Sequence, residues 1–207
     1  MEAEGVIKFD LDHQWKTLPE RIDISELERA RALLMQRGLI GRDPKRYGGL
    51  GFGNLSQRCE GNQFIVSGSQ TGGLPTLDLH HYALITDADL IANKICSQGD
   101  IKPSSESTTH ALLYQLSREI GAVIHVHSPD IWNHYDKLGM LSTPRDAPYG
   151  SERLVQAVSD LWQNRDLLSH GIFVMLGHQD GVIAFHRTVQ GALSRVLALH
   201  DQSLRLE

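Results

Sequence analysis

The chain has 207 residues, with 20 Lys+Arg against 25 Asp+Glu, and a formal charge of −5 with histidine neutral. Its 41% apolar and 22% charged residues are spread along the whole sequence, which excludes disorder, and the mild acidity excludes a general nucleic-acid binder, which needs a basic patch. The length fits one domain, 1–207, with a full core. No run approaches the roughly 20 apolar residues of a membrane helix, and the opening Met1-Glu2-Ala3-Glu4 lacks a basic-then-apolar leader. Only two cysteines occur, Cys59 and Cys96, far apart and in no C-x-x-C pair. They argue against a disulfide framework or a cysteine zinc site and for a reducing cytoplasm. Histidine is the unusual component, with 11 copies, several of them in short segments.

Taken in chain order, Ser25-x-x-Glu28 predicts a capping box opening a helix, with Leu27, Ala30, Leu33 and Leu34 as its apolar face and Gly38 as its stop. A glycine-dense loop, Gly48–Asn54, leads into strands at Leu55–Arg58 and Phe64–Ser67, and a second small-residue loop runs Ser67–Gly73. Tyr82–Thr86 and Asp89–Ala92 read as strands joined by a turn at Asp87-Ala88. Pro103-Ser104-Ser105-Glu106 opens a helix over about Ser107–Ile120, stopped by Gly121. Ala122–His127 is a strand, Trp132–Leu138 a short helix and Ser151–Asn164 an amphipathic one. Phe173–Leu176 and Val182–Phe185 pair as strands, and Thr188 caps a last helix to about Leu204. Helices and short strands that alternate in this way predict a mixed α/β layered domain around a largely antiparallel sheet.

His125 and His127 flank Val126 on a strand, and residues i and i+2 share a face. Two imidazoles so placed converge on one metal ion, or equally sit side by side in solvent. His178, at the turn between two apolar strands, supplies a third ring. Three imidazoles without cysteine suit Zn²⁺ or a similar borderline metal and leave a position open for chemistry. Glu106, just after Ser104-Ser105, has the ordinary reading of an acid at a helix start, where the dipole favours it. The functional reading sets it between an anion held by that helix start and the metal, as an occasional fourth ligand and a proton acceptor. The two glycine-rich loops suit an anion as well, with Asn54 and Ser56 adding donors. Neither loop has a Gly-Lys-Ser/Thr, and either one is also readable as an ordinary turn.

Together Gly53-Asn54-Leu55-Ser56, Thr71-Gly72, Ser104-Ser105-Glu106, His125-Val126-His127 and the strand–His178–Gly181–strand element resemble the class II aldolase/adducin family, in its order and from about Ser25 to Leu199. The resemblance implies a three-layer α/β/α fold with a largely antiparallel central sheet, a catalytic zinc and a homotetramer with active sites near subunit interfaces. It assigns His125, His127 and His178 as metal ligands, with Glu106 as acid/base residue and occasional fourth ligand. Asn54, Ser56, Thr71, Gly72, Ser104 and Ser105 then form the phosphate or substrate-anion site. The implied activity is metal-dependent cleavage of a hydroxy-ketone sugar phosphate by retro-aldol chemistry through a metal-stabilised enediolate. Relatives that act as ketopentose-phosphate 4-epimerases or sugar-phosphate dehydratases, and the non-catalytic adducin-like scaffolds, are the alternatives. The epimerases tend to carry Asp where Glu106 stands. The chain departs from the family in three places. Gln179-Asp180 intervene before Gly181, where the family has glycine directly after the third histidine. The loop near Thr71 is longer, so its register lies between Ser69 and Thr71. The sequence closes Arg205-Leu206-Glu207 without the tail tyrosine that some family aldolases use as proton donor, which leaves Tyr135 or Tyr149 for that role.

Overall fold

A computed structural model of the chain describes residues 5–206. The acidic opening Met1-Glu2-Ala3-Glu4, on which the reading of a missing leader rests, lies outside the described residues. Within them the strands are β1 (Asp10–Trp15), β2 (Gly41–Arg42), β3 (Gly51–Phe52), β4 (Asn54–Arg58), β5 (Phe64–Ser67), β6 (Tyr82–Asp89), β7 (Lys94–Gly99), β8 (Ala122–His127), β9 (Ser142–Thr143), β10 (Ile172–Met175) and β11 (Gly181–His186). The helices are α1 (Ser25–Gln36), α2 (Ser107–Leu116), α3 (Pro129–Asn133), α4 (Glu152–Asn164), α5 (Leu167–His170) and α6 (Val189–Ser203).

Nine strands form one sheet in the order β1-β7-β6-β5-β4-β8-β11-β10-β9. Its inner pairings are antiparallel, and only the two edge pairs, β1 with β7 and β9 with β10, run parallel. The sheet is therefore mixed, with an antiparallel centre as expected. Side chains alternate across it. Ala122, Ile124 and Val126 join Val182 and Ala184 in one core with α1, α3 and α6. Val123, Ile183 and Phe185 join the other core with α2, α4 and α5. These are the two outer layers of the α/β/α arrangement.

Most predicted elements stand where the sequence places them, and their ends are set by the expected chemistry. Gly38 stops α1 in the left-handed region at φ +68. Ser151 Oγ accepts from Leu154 N–H (3.1 Å) and Thr188 Oγ1 from Gly191 N–H (3.1 Å) at the starts of α4 and α6.

The capping box does not form. Ile24 is the N-cap of α1 and no side chain caps it. The Glu28 carboxylate is drawn away by tertiary donors, accepting from Tyr82 Oη (2.6 Å) and Leu77 N–H (2.7 Å). The hairpin turn lies later than predicted. Asp89 ends β6, its Oδ1 accepting from Ile91 N–H (3.0 Å) and Ala92 N–H (2.9 Å), so 90–93 is the turn and the next strand starts at Lys94. Helix α2 ends at Leu116 rather than Ile120, because Ser117 is extended. Arg58 takes up the carbonyls left there, donating to Tyr114 O (2.8 Å), Ser117 O (2.7 Å) and Ile120 O (2.7 Å). The short helix near Trp132 starts earlier, at Pro129, with Ser128 Oγ as its cap (3.3 Å from Ile131 N–H), and ends at Asn133. Strand β1 escapes sequence reading. Its Asp-Leu-Asp-His-Gln-Trp run is a largely exposed edge without a buried apolar face. No helix among the described residues is long and apolar enough to cross a membrane.

Candidate metal centre

Strand β8 lies between β4 and β11, with Asn54 opposite His125 on one side and Gly181 opposite His127 on the other. His125 and His127 point to the α2 side with Val123, and both rings are fully buried. His178 comes from the turn between β10 and β11 and is also buried. The three rings gather into one cluster, with centroids 4.9 Å apart for His125–His127, 5.1 Å for His125–His178 and 4.8 Å for His127–His178. One ligand atom from each ring lies within 4.8 Å of the others. His125 Nδ1 is 3.2 Å from Val182 O. That carbonyl needs a donor, so Nδ1 carries the proton and Nε2 turns its lone pair to the cluster. His127 is held well below the usual imidazole pKa by burial and then by the neighbouring charges of His178, His125 and Arg46, and so stays neutral.

Glu106 occupies the N-cap of α2, one position ahead of the first turn expected for it, and its side chain makes no capping bond. The carboxylate turns into the cluster instead, 99% buried, with Oε1 at 3.1 Å from His178 Nδ1 and 3.8 Å from His125 Nε2. Neither of its oxygens has an aligned hydrogen-bond donor. Burial pushes its pKa up, but the positive charge that His125 and His178 carry when protonated, with the His178 Nδ1 contact, outweighs burial and holds it down at about 2. A buried anion facing three imidazoles without a full set of donors fits a site built for a cation. Donor atoms bound at about 2.0–2.2 Å around a tetrahedral ion stand roughly 3.3 Å apart. The spacings of 3.1 Å between His125 Nε2 and His127 Nε2 and of 3.1 and 3.8 Å to Glu106 Oε1 are near that value, while the three imidazole donors together spread to 4.8 Å.

Beside the cluster, Asn54, Gly72, Ser104 and Ser105 line a small cavity together with Ser69 and Gln70. Of the two registers open to this loop, Ser69 reaches the cavity wall. Thr71 does not line it, and its hydroxyl donates to Gly68 O (2.8 Å). Buried Arg31 donates to Thr71 O (3.2 Å) and Leu74 O (3.1 Å) and so fixes the loop from behind. Gly72 is required by close approach: a Cβ there would stand 2.5 Å from Phe52 O. Ser56 faces the same side as Asn54, but its hydroxyl bonds His110 Nδ1 (2.7 Å) and Tyr114 Oη (2.7 Å) on α2. A separate cavity of about 470 Å³ at Glu60–Gln63 and Thr86–Ala88 contains no histidine.

Tyr149 stacks on the third histidine, its ring 4.8 Å from that of His178, whereas Tyr135 packs with the core on the opposite face of the sheet. Two residues outside the spaced motifs complete the surroundings: the Tyr47 ring lies 4.5 Å from that of His127, and its hydroxyl donates to Asp180 Oδ2 at 2.6 Å. No local sequence signal marks either residue, because the partners lie 133 positions apart.

Known proteins fit this architecture. Residues 44–133 match the profile of the family described as Class II Aldolase and Adducin N-terminal domain. Among solved structures, an L-fuculose-1-phosphate aldolase from Thermus thermophilus is 16% identical, covers 88% of this chain and 91% of its own, and superposes with a TM-score of 0.63. A sugar-phosphate aldolase from Thermotoga maritima is 18% identical over 88% of this chain and 92% of its own, with a TM-score of 0.65. A protein of Mycoplasma pneumoniae named "Probable L-ribulose-5-phosphate 4-epimerase UlaF" is 32% identical over 80 residues, which is 37% of this chain and 30% of that relative's length. Over residues 44–133 the chain is thus similar to the class II aldolase/adducin family, and its fold is that of the solved aldolases.

Proposed function

We propose that the chain is a metal-dependent aldehyde-lyase that cleaves a phosphorylated hydroxy-ketone by retro-aldol chemistry. The observation that carries the reading is Glu106, a buried carboxylate 3.1 Å from His178 Nδ1, set directly after Ser104 and Ser105 on the wall of a small polar cavity. A divalent ion held by His125, His127 and His178, zinc by preference, supplies Lewis-acid polarisation of the substrate carbonyl. The rest is the work of the chain. Ser104, Ser105, Asn54 and the backbone at Gly72 receive the substrate's anionic group. Glu106 Oε1 accepts the proton of the substrate hydroxyl as the carbon–carbon bond breaks. It returns that proton to the carbon left electron-rich, and the aldehyde fragment departs. Its low pKa keeps it in the proton-accepting form before substrate binds. The reading takes with it the family's homotetramer with interface sites, which light scattering on the purified chain checks, and a cytoplasmic location.

A second reaction on the same residues, 4-epimerisation of a ketopentose phosphate, is favoured by the Mycoplasma pneumoniae relative's name. Glutamate rather than aspartate at 106 favours the lyase. The test is NMR analysis of products from a panel of sugar phosphates, with wild type and Glu106→Gln. The lyase gives two fragments, whereas an inverted centre or loss of water assigns the site to the epimerase or dehydratase reaction. Glu106→Gln is expected to lower the rate by about 10²–10⁴-fold, and equal rates remove Glu106 from the mechanism.

A further inference from the structure

His178 lies in the turn between β10 and β11, where its N–H donates to Met175 O and its carbonyl accepts from Gly181 N–H, each at 3.0 Å. The structure shows what restrains it. On one side Gly177 lies against the Ala147–Pro148 backbone, so closely that a Cβ there would stand 2.3 Å from Ala147 O. On the other side Asp180 is buried, and its Oδ2 accepts from the Tyr47 hydroxyl at 2.6 Å. That hydroxyl in turn accepts from Arg46 Nη2 at 2.6 Å, and the Arg46 guanidinium rests over the rings of Tyr47 (4.9 Å) and Phe52 (4.8 Å). The same Tyr47 ring meets His127 edge-on at 4.5 Å. One side chain therefore touches the second imidazole with its ring and ties down the turn of the third with its hydroxyl. Tyr47 (φ +49) and Asp180 (φ +61) both hold left-handed backbone, which disfavours residues with a Cβ and persists where the surroundings enforce it.

We propose that Tyr47 and Asp180 form a clasp that positions His178 against His127 and thereby sets the affinity of the centre for its ion. Tyr47 and Asp180 are positioning residues, which act by ring packing on His127 and by tying down the turn of His178. The clasp adds, from a loop 133 positions away in sequence, a side-chain tie to a turn that its backbone hydrogen bonds close locally. The inference rests on the reading of the three imidazoles as ligands of one ion.

The test uses the full chain and Zn²⁺ alone, with affinity measured by competition against a chromogenic chelator. Tyr47→Phe keeps the ring and removes the hydroxyl. Asp180→Gly removes the carboxylate while relieving the left-handed backbone, and Asp180→Asn keeps an acceptor oxygen. Tyr47→Phe and Asp180→Gly are each expected to weaken Zn²⁺ binding by about 10–100-fold, and the double variant by no more than either alone. Asp180→Asn stays near wild type. Wild-type affinity in Tyr47→Phe, or losses that add in the double variant, overturns the clasp while leaving the metal reading intact. A wild type that takes up no divalent ion sinks the metal reading instead, and the clasp is then decided by amide hydrogen exchange over 176–181 in the metal-free protein. Exchange about tenfold faster in Tyr47→Phe supports the clasp, and unchanged exchange refutes it.

Discussion

His110 makes the stability of the metal-free protein depend steeply on pH. Its ring is fully buried on α2, with Nδ1 2.7 Å from Ser56 Oγ and a buried Nε2 that has no hydrogen-bond partner. A second N–H on that ring would find no acceptor, and burial, with His125 nearby adding repulsion, lowers its pKa from 6.5 to about 3. Because the folded value is the lower one, this contribution is complete above pH 6.5 and is lost as pH falls towards 3. At pH 5 the unfolded ring is protonated by about 1.5 pKa units' excess while the folded one stays neutral, which at 1.36 kcal/mol per unit destabilises the fold by about 2 kcal/mol relative to pH 7. Urea denaturation at pH 7, 6 and 5 in the presence of a chelator measures this in wild type and in His110→Asn. The variant keeps a polar atom beside Ser56 and cannot titrate. His127, shifted in the same direction, weakens both proteins with acid and cancels from the comparison. The variant is expected to lose about 2 kcal/mol less than wild type between pH 7 and 5. Parallel pH slopes in the two proteins refute the argument, whatever their absolute stabilities.

Gly53 sits at φ +79, where a Cβ would stand 2.3 Å from Ile40 Cγ2. Gly53→Ala is therefore expected to cost about 3 kcal/mol, from left-handed strain and overpacking together, and thermal or urea unfolding checks it. Arg31→Met strips the Thr71 and Leu74 carbonyls of their donor. It should cost about 2 kcal/mol in urea and weaken competitive inhibition by inorganic phosphate, an effect that a purely global role would not produce. His178→Ala should abolish stoichiometric zinc retained after dialysis, read by elemental analysis. Zinc retained at the wild-type level would remove His178 from the ligand set.

What the sequence made legible depended on how local the signal was. The i, i+2 spacing of His125 and His127 fixes their shared face wherever the strand lies, and Thr188, Ser151 and Gly38 act within a turn of themselves, so those readings survive folding. The Ser25–Glu28 box was equally local in pattern, but Tyr82 and Leu77, more than 45 residues on, compete for the same carboxylate. The end of α2 was hidden for the same reason, since Arg58 lies on β4. In the site, Glu106 and the serines were readable because chemistry and position coincide at a helix start. Tyr47 and Asp180 were not readable, since their partnership spans 133 positions and neither belongs to a spaced motif. Ser56 was legible as a polar residue on the correct face. Only the packing of α2 reveals that its hydroxyl is engaged with His110 and Tyr114.

The placing of β8 deep inside a nine-stranded sheet has a consequence for anyone wishing to transplant this centre. Two of the three rings hang from a ribbon bonded on both flanks, and sliding that ribbon by a single residue would exchange both imidazoles for Val126 and its neighbours. The centre thus has no portable peptide version: a graft must import the flanking ribbons along with the histidines.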